Sequence, residues 1–198
     1  MITAIVLAAG LSRRMGQPKM LLRWGAKTVI EQVVGTLRES GIKDVIVVAG
    51  ALYDEISNRL KDQKIHVVFN PSYANGEMID SLQTGLSHVL VKSTDVMVVL
   101  GDQPFLNKQT LGSLINASDK TGKQIVMPSI QNKRGHPWII KEPIWNEIRN
   151  IKKPATLRDF IRQHEPEIEY VLVEDDGIIR DMDTPEEYKR LKPKWEGE

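Results

Sequence analysis

Three cations follow closely on a turn of very small residues in the segment LAAGLSRRMGQPK, which spans Leu7 to Lys19. The residues from Ala8 to Gly10 carry little or no side chain, so an anionic ligand can approach the backbone and accept hydrogen bonds from its N–H groups. The cations concentrate positive charge at this turn; they are Arg13, Arg14 and Lys19. Small residues and cations together predict a triphosphate-binding site.

A tight turn with solvated cations is the alternative for the same segment. Lys19 does not directly follow Gly16, so the segment is not a Walker P-loop, and no G-x-G-x-x-G pattern occurs in it. The residue types alone leave both interpretations open. The position after an apolar strand, together with the local charge, supports the phosphate site.

A carboxylate, Asp102, follows the apolar run Val96 to Leu100 and comes directly after Gly101. Strand ends in an α/β sheet meet at its ligand-binding edge, so Asp102 can lie beside the first turn. A carboxylate near a triphosphate is repelled unless a hard cation lies between them, and Mg²⁺ prefers carboxylate and phosphate oxygens. We therefore predict Asp102 as a metal ligand, with a turn or helix-capping role as the alternative.

A second acid, Asp183, lies in the segment RDMDTPEEY, which spans Arg180 to Tyr188. It precedes Thr184 and Pro185, and proline suits the first turn of a helix. Either Asp183 or Thr184 could cap that helix, and this motif on its own favours the cap. The alternative is that Asp183 joins Asp102 on one Mg²⁺ ion.

Apolar runs that alternate with segments of helical period must position these groups. The predicted strands are Ile2 to Leu7, Val45 to Ala49, Ile65 to Phe69 and Val96 to Leu100. Predicted helices carry Val29, Val33 and Leu37, then Leu52, Ile56 and Leu60, then Met78 to Val89. Continuous apolar runs indicate strands covered on both faces. We predict one Rossmann-like domain of three α/β/α layers with a mostly parallel sheet.

The pattern loosens after Pro104, where a small β-containing acceptor lobe would fit. Its candidate strands are Ile125 to Met127 and Trp138 to Ile140, and its candidate helices are Ile144 to Ile151 and Thr156 to Gln163. A strand pair, Glu169 to Val173 with Gly177 to Met182, is predicted around a turn, before a last helix near Thr184. The domain is expected to span residues 1–192, with 193–198 as a frayed tail.

The bulk composition excludes several classes of function. The 198 residues include 27 Lys and Arg against 26 Asp and Glu, so no overall field attracts nucleic acid or an anionic membrane. The absence of cysteine excludes disulfides, thiolate zinc sites and cysteine nucleophiles. The start of the chain does not resemble a signal peptide, and no apolar run reaches the roughly 18 residues of a membrane span. A cytoplasmic protein is expected.

Four motifs together resemble the molybdenum cofactor nucleotidyltransferases, and most of all the branch of molybdopterin cytidylyltransferases that serves molybdenum hydroxylases. The motifs are LAAGLSRRMGQPK, GDQP at Gly101 to Pro104, GHP at Gly135 to Pro137 and DMDTPEEY at Asp181 to Tyr188. The resemblance implies transfer of CMP from CTP to molybdopterin or molybdenum-molybdopterin. It covers the chain from Ile2 to about Tyr188.

The resemblance also implies roles for single residues. Asp102 and Asp183 would bind Mg²⁺, and Arg14 and Lys19 would hold the triphosphate, with Arg14, Lys19 and Asp102 as the catalytic set. Gly135 and His136 would face the acceptor substrate. The nucleotide-binding residues would further include Leu7, Ala8, Ala9, Gly10, Gly101 and, in the matching segment Asn70 to Leu86, Ser81.

The choice of nucleotide depends on Ala9. The resemblance assigns the Ala-Ala-Gly form to cytidylyl transfer and an Ala-Gly-Gly form to guanylyl transfer, so CTP is preferred over GTP. The alternatives are a guanylyltransferase of the same family, a cytidylyl- or uridylyltransferase acting on a sugar or polyol phosphate, and a carrier that binds the cofactor without chemistry. A molybdenum hydroxylase would be a transient partner.

His136 stands apart from the other three histidines, at 66, 88 and 164, because Gly135 and Pro137 fix its backbone. No histidine or cysteine neighbour lies at zinc-ligand spacing. A neutral or charged imidazole at this position could form a hydrogen bond with a phosphate or pterin of the acceptor substrate. The alternative is a structural histidine in a turn.

Overall fold

A computed structural model describes residues 1–63, 65–180 and 182–193. The strands are β1 (Ile2–Ala8), β2 (Arg23–Trp24), β3 (Lys27–Thr28), β4 (Asp44–Ala49), β5 (His66–Phe69), β6 (Asp95–Leu100), β7 (Ile125–Ile130), β8 (Lys133–Arg134), β9 (Trp138–Lys141) and β10 (Ile168–Leu172). The helices are α1 (Val29–Glu39), α2 (Tyr53–Leu60), α3 (Met78–Leu86), α4 (Lys108–Lys120), α5 (Glu142–Arg149), α6 (Leu157–Gln163) and α7 (Pro185–Leu191).

One mixed sheet forms the middle layer, in the order β10-β7-β9-β6-β1-β4-β5, with β8 paired to β7. The strands β6, β1, β4 and β5 are mutually parallel, and β10 is parallel to β7. Strand β9 is antiparallel to both of its neighbours, and β2 and β3 form a separate two-stranded ribbon. The strands of the segment after Pro104 thus join the main sheet.

Both faces of the sheet are covered by helices, because the strand side chains are apolar on either side. Helices α1, α2 and α4 pack on one face around residues such as Val6, Val47 and Val99. Helices α3, α5 and α6 pack on the other face around residues such as Ile5, Val48 and Val98. The predicted three-layer, single-domain α/β fold is confirmed. No helix among the described residues is long and apolar enough to cross a membrane.

The central strands end side by side, and this register positions the candidate site. Leu7 of β1 pairs with Val48 of β4 on one side and with Leu100 of β6 on the other. The backbone N–H of Gly101 donates to the Leu7 carbonyl at 2.9 Å, so the two following loops start in contact. A side chain at position 101 would meet that carbonyl at 2.9 Å, which explains the glycine.

The predicted strand from Gly177 to Met182 is wrong. The Asp175 carboxylate accepts from the Gly177 backbone N–H at 2.9 Å and from the Thr110 hydroxyl at 2.8 Å, and this turns the chain into a 3₁₀ turn, Asp176–Ile178. Without a hairpin partner, β10 pairs in parallel with β7. Asp181 and residues 194–198 of the predicted tail lie outside the described residues.

Candidate active site

The loop after β1 is held in shape by its own polar groups and by one buried side chain. Ser12 has φ of 50° and Gly16 has φ of 67°, so the loop turns twice through the left-handed region. The Ser12 hydroxyl accepts from the Lys19 backbone N–H at 3.2 Å. Met15 is buried with Trp24 and Val29, and this contact anchors the loop to the ribbon and to α1. The loop therefore holds Lys19 in a fixed position.

Lys19 lies between the two predicted acids. Its side chain is only 8% exposed, and its Nζ is 3.2 Å from Oδ2 of Asp102 and also donates to Oδ1 of Asp183. Burial on its own would lower the pKa of Lys19, but the hydrogen bonds and charges of Asp183 and Asp102 outweigh burial and raise it. Lys19 is therefore a cation at neutral pH, bonded to both acids.

Asp183 receives a second cation, because the Arg14 guanidinium pairs with its Oδ2. Burial would raise the pKa of Asp183, but Lys19 and Arg14 outweigh it and hold this pKa below its ordinary value. Arg14 is largely exposed, with 74% of its side chain open to solvent, so it can follow a ligand. The structure thus brings together Arg14, Lys19, Asp102 and Asp183 from distant parts of the sequence.

Other residues take the capping roles that were the alternatives for both acids. The Thr184 hydroxyl accepts from the Glu187 N–H at 3.2 Å, so Thr184 and not Asp183 caps α7. Asn107 caps α4 by accepting from Thr110 N–H at 2.9 Å, which leaves Asp102 in the turn after β6. Both carboxylates are therefore available to the site.

Glu187 fixes the backbone that carries Asp183. One carboxylate oxygen of Glu187 accepts from the N–H of Asp183 at 2.8 Å and from the N–H of Thr184 at 3.0 Å. This capping box occupies the backbone at the start of α7, so the Asp183 side chain is directed toward Lys19. Glu187 is a positioning residue that the sequence showed only as part of the helix start.

A cavity of about 260 Å³ lies at the same edge of the sheet and reaches Asp102. Of the predicted nucleotide-binding residues, Leu7, Ala9, Gly10 and Ser81 line this cavity, whereas Ala8 is buried in the core behind it. The other lining residues had no assigned nucleotide-binding role; they are Met20, Asn70, Tyr73, Gly76, Glu77, Met78 and Leu100. Several lie in the segment Asn70 to Leu86, and the resemblance of this segment to the family's nucleotide-binding segment was the signal that could have indicated them.

A second cavity, of about 550 Å³, shares Glu77 and Met78 with the first. The predicted residue His136 lines it and stacks on Trp138, with ring centroids 4.3 Å apart and planes at 18°. Gly135 lies behind this wall, and a side chain there would meet the Ile178 carbonyl at 2.2 Å. The remaining lining residues are Ile79, Arg134, Thr156, Leu157, Arg158 and Ile161.

Burial lowers the pKa of His136 to about 4, so the imidazole is neutral at physiological pH. Its Nε2 is buried and has no hydrogen-bond partner among the described residues. Of the two forms that the sequence left open, the structure favours the neutral ring. Such a ring contributes a flat surface to this cavity and no charge.

The two acids fit a divalent cation that also binds phosphate. No group of three or more His, Cys, Asp or Glu side chains that could hold a metal occurs in the part of the chain that the structure describes. Two carboxylates that converge on one position are, however, the protein share of a Mg²⁺ site whose other ligands are phosphate oxygens and water. Asp102 and Asp183 meet this requirement, since both contact the same ammonium group.

A glycine-rich loop, a lysine and two acids at the carboxyl edge of an α/β sheet define a nucleotide-binding domain of the nucleotidyltransferase class. Comparison with known proteins gives the family, because residues 4–168 match the MobA-like NTP transferase domain. The chain belongs to this family. The resemblance inferred from the four motifs is confirmed at this level.

Individual relatives cover nearly the whole chain. A nicotine blue oxidoreductase from Paenarthrobacter nicotinovorans is 28% identical over 198 residues, with 96% of each protein covered. A molybdenum cofactor cytidylyltransferase from Escherichia coli is 25% identical over 201 residues, covering 98% of this chain and 97% of that protein. The crystal structure of Rv0371c from Mycobacterium tuberculosis has a TM-score of 0.82 at 25% identity, with 96% of both chains covered. A second structure of Rv0371c is a complex with manganese.

Proposed function

We propose that this chain is a Mg²⁺-dependent cytidylyltransferase that transfers CMP from CTP to molybdopterin or molybdenum-molybdopterin and releases pyrophosphate. The observation that carries the proposal is that Lys19 is bonded to both Asp102 and Asp183, beside a cavity whose lining includes the small residues Ala9 and Gly10. The cytidylyltransferase name of the Escherichia coli relative supports the choice of reaction. CTP is preferred over GTP because Ala9 lies in the cavity wall, in the Ala-Ala-Gly form.

The first cavity is the proposed site of the nucleoside. Its walls are the backbone of Ala9 and Gly10 and the apolar side chains of Leu7, Met20 and Leu100, which suit a flat base. The triphosphate would extend from this cavity past Asp102 toward Arg14 and Lys19. These two cations would bind the β- and γ-phosphates and neutralise the charge that develops on the leaving pyrophosphate.

In the proposed reaction a phosphate oxygen of the acceptor substrate forms a bond to the α-phosphorus as the α–β phosphoanhydride bond breaks. The bond electrons leave with pyrophosphate. A divalent cation bound by Asp102 and Asp183 would supply charge stabilisation at the α-phosphate. A phosphomonoester is already largely ionised near neutral pH, so no general base is required. The protein contributes mainly positioning and electrostatic stabilisation.

The second cavity is the proposed site of the acceptor substrate. It adjoins the first through Glu77 and Met78, as a two-substrate reaction requires. The stacked rings of His136 and Trp138 offer a flat wall, and Arg158 is an exposed cation on the same cavity. A planar heterocycle that carries a phosphate matches these walls in shape and charge. Delivery of the product to a molybdenum hydroxylase in the cytoplasm completes the proposal.

The direct test is an assay of pyrophosphate release. The protein is incubated with Mg²⁺ and with CTP, GTP, UTP or ATP, each with and without molybdopterin. We expect release only with CTP and molybdopterin together. Release with GTP would favour a guanylyltransferase. In a second set of reactions a sugar or polyol phosphate takes the place of molybdopterin, and release only there would change the proposed acceptor substrate. If no combination releases pyrophosphate, the proposed transferase activity is contradicted and a protein that carries the cofactor without chemistry is favoured.

A further inference from the structure

Asn70 is a buried polar residue between the end of β5 and the first turn of α3. Only 1% of it is exposed, and its backbone N–H donates to the Ala49 carbonyl at 2.9 Å. Its side chain makes two hydrogen bonds, one with the backbone of Ser72 and one with the hydroxyl of Ser81. Asn70 therefore connects three segments that surround the first cavity.

The direction of these two hydrogen bonds follows from the chemistry of the partners. The Ser72 backbone N–H can only donate, so the atom 2.9 Å from it must be the amide oxygen, Oδ1. The other end of the amide, Nδ2, then faces Ser81 and donates to its Oγ at 3.0 Å. The backbone of Ser72 thus fixes the orientation of the Asn70 amide, and Ser81 must accept from it.

The consequence concerns the single proton of the Ser81 hydroxyl. Because its oxygen accepts from Asn70, this proton is directed elsewhere, and the side chain of Ser81 makes no second hydrogen bond within the described residues. Ser81 lines the first cavity, next to Met78 and Gly76. A nearly buried hydroxyl with an unused donor favours a ligand atom that can accept.

We infer that Asn70 is a positioning residue that makes the Ser81 hydroxyl an obligatory hydrogen-bond donor to an acceptor atom of the nucleobase. The inference rests on the proposed function, since it places the nucleoside in this cavity. The base is chosen over the ribose because the cavity is lined by Leu7, Met20 and Leu100, whose apolar side chains match a flat ring. A ribose hydroxyl can also donate, so the direction of this bond would not matter to it.

The test measures binding of CTP with Mg²⁺ by isothermal titration, in the absence of any acceptor substrate. Ser81→Ala removes the donor and is expected to weaken CTP binding about fivefold, the value of one neutral hydrogen bond. Asn70→Asp keeps an oxygen for Ser72 but offers Ser81 a carboxylate, which takes the hydroxyl proton. This variant is expected to weaken binding at least as much.

A double variant separates the hydrogen bond from simple charge repulsion. A carboxylate at position 70 would repel the triphosphate equally with or without the Ser81 hydroxyl, whereas the hydrogen-bond effect requires that hydroxyl. We expect Asn70→Asp to lose most of its effect in the Ser81→Ala background. Equal effects in both backgrounds, or unchanged binding in Ser81→Ala, would overturn the inference.

Further arms of the same titration control for folding and for the ribose. Ser87→Ala alters an exposed hydroxyl at the far end of α3 and is expected to bind CTP as the parent does. Asn70→Asp is compared with the parent by circular dichroism, and Ser81→Ala tests the donor even if Asn70→Asp fails to fold. The Ser81→Ala loss should persist with deoxy-CTP, and its disappearance would place the partner on the ribose and contradict the inference. Wild-type protein that binds CTP but transfers nothing would remove the proposed function alone.

Discussion

Asp102 is the more exposed of the two acids, with 32% of its side chain open to solvent against 19% for Asp183. Among the described residues Lys19 is the one cation that it contacts, so its replacement leaves the pair of Lys19 with Asp183 in place. Its charge is consequently more important for the ligand than for the fold. The resemblance gave this residue a role, and the structure supplies the geometry that makes the role testable.

We therefore predict that Asp102→Asn keeps the fold and loses turnover. The substitution retains the shape of the side chain and removes its charge, so the expected loss in kcat is on the order of 10² to 10³. Steady-state pyrophosphate release at saturating Mg²⁺ measures it, with Asp62→Asn on the exposed 3₁₀ turn after α2 as the control. Unchanged activity would remove Asp102 as a metal ligand.

His136 gives a pH dependence of a definite sign. Its folded pKa of about 4 lies below the ordinary 6.5, so the unfolded chain binds the proton more tightly. The free energy of unfolding should be unaffected by this group above pH 6.5 and should decrease as the pH falls toward 4. Between pH 7 and pH 5 the expected decrease is about 2 kcal/mol.

Urea unfolding at pH 7 and pH 5 measures this dependence in the parent and in His136→Gln. The variant has no titrating ring, so the share of the decrease that comes from His136 should vanish. His88→Gln is the control, because His88 is exposed. An identical decrease in parent and His136→Gln would show that the ring is accessible to protons in the folded state.

At the scale of elements, α7 matters more for its start than for its length. The helix has seven residues and none of them is fully buried, so its capping box contributes much of what defines where it begins. Asp183 precedes this box and is held by the same Glu187 carboxylate. Stability of the helix start and orientation of the acid are thus coupled.

Glu187→Gln should accordingly lower activity more than stability. The amide oxygen can still accept from the N–H groups of Asp183 and Thr184, but the two bonds lose the negative charge that strengthens them. We expect a small loss of stability and a several-fold decrease in kcat. Denaturant unfolding and pyrophosphate release measure the two effects, and Glu186→Gln, exposed on the same turn, should change neither.

How far the sequence predicts these elements depends on what holds each one together. The long strands, such as β1 and β6, were predictable because continuous apolar runs report burial on both faces. Two-residue strands such as β2 and β8 have no period to detect. The segment after Asp175 was misjudged because its turn depends on a hydrogen bond from Thr110, a residue distant in sequence.

In the candidate site, too, some features were predictable from the sequence and others depend on long-range contacts. Position after a strand, together with charge, was enough to single out Lys19 and Asp102, because parallel strands end at one edge of a sheet. Ser81 was indicated only by the resemblance of its segment. The contact of Lys19 with both acids and the fixed direction of the Asn70 amide depend on long-range packing. No pattern of neighbouring residues carries that information.

At the scale of the whole molecule, a small third core lies at the site and joins both ends of the chain. Met182 is fully buried against Met15, Trp24 and Val29, and the Tyr188 hydroxyl donates to the Arg23 carbonyl at 2.7 Å. The segment that carries Asp183 is therefore packed on the loop that carries Arg14 and Lys19. The site depends on this contact because no single element contains it.

Met182→Ala tests that dependence. Loss of a fully buried side chain should lower the free energy of unfolding by about 2 to 4 kcal/mol and should also reduce kcat, since it loosens the loop and the acid together. Met182→Leu conserves the volume and should cost less than about 1.5 kcal/mol. Denaturant unfolding and pyrophosphate release measure both variants, and full activity in a destabilised Met182→Ala would show that the third core does not align the site.

The ammonium of Lys19 acts as a tethered counter-ion, and this has a thermodynamic consequence for metal uptake. A free divalent ion must compete with a charge that the chain already carries, whereas an incoming triphosphate gives Lys19 and Arg14 another anion to bind. Metal and nucleotide should therefore bind with positive cooperativity. Electron paramagnetic resonance titration should show that Mn²⁺ binds the protein weakly without nucleotide and at least tenfold more tightly with CTP. The binding of Mn²⁺ to CTP in buffer without protein is measured separately and subtracted. In Lys19→Met, Mn²⁺ should bind more tightly without nucleotide than it does in the parent, and equally weak binding in both would refute the competition.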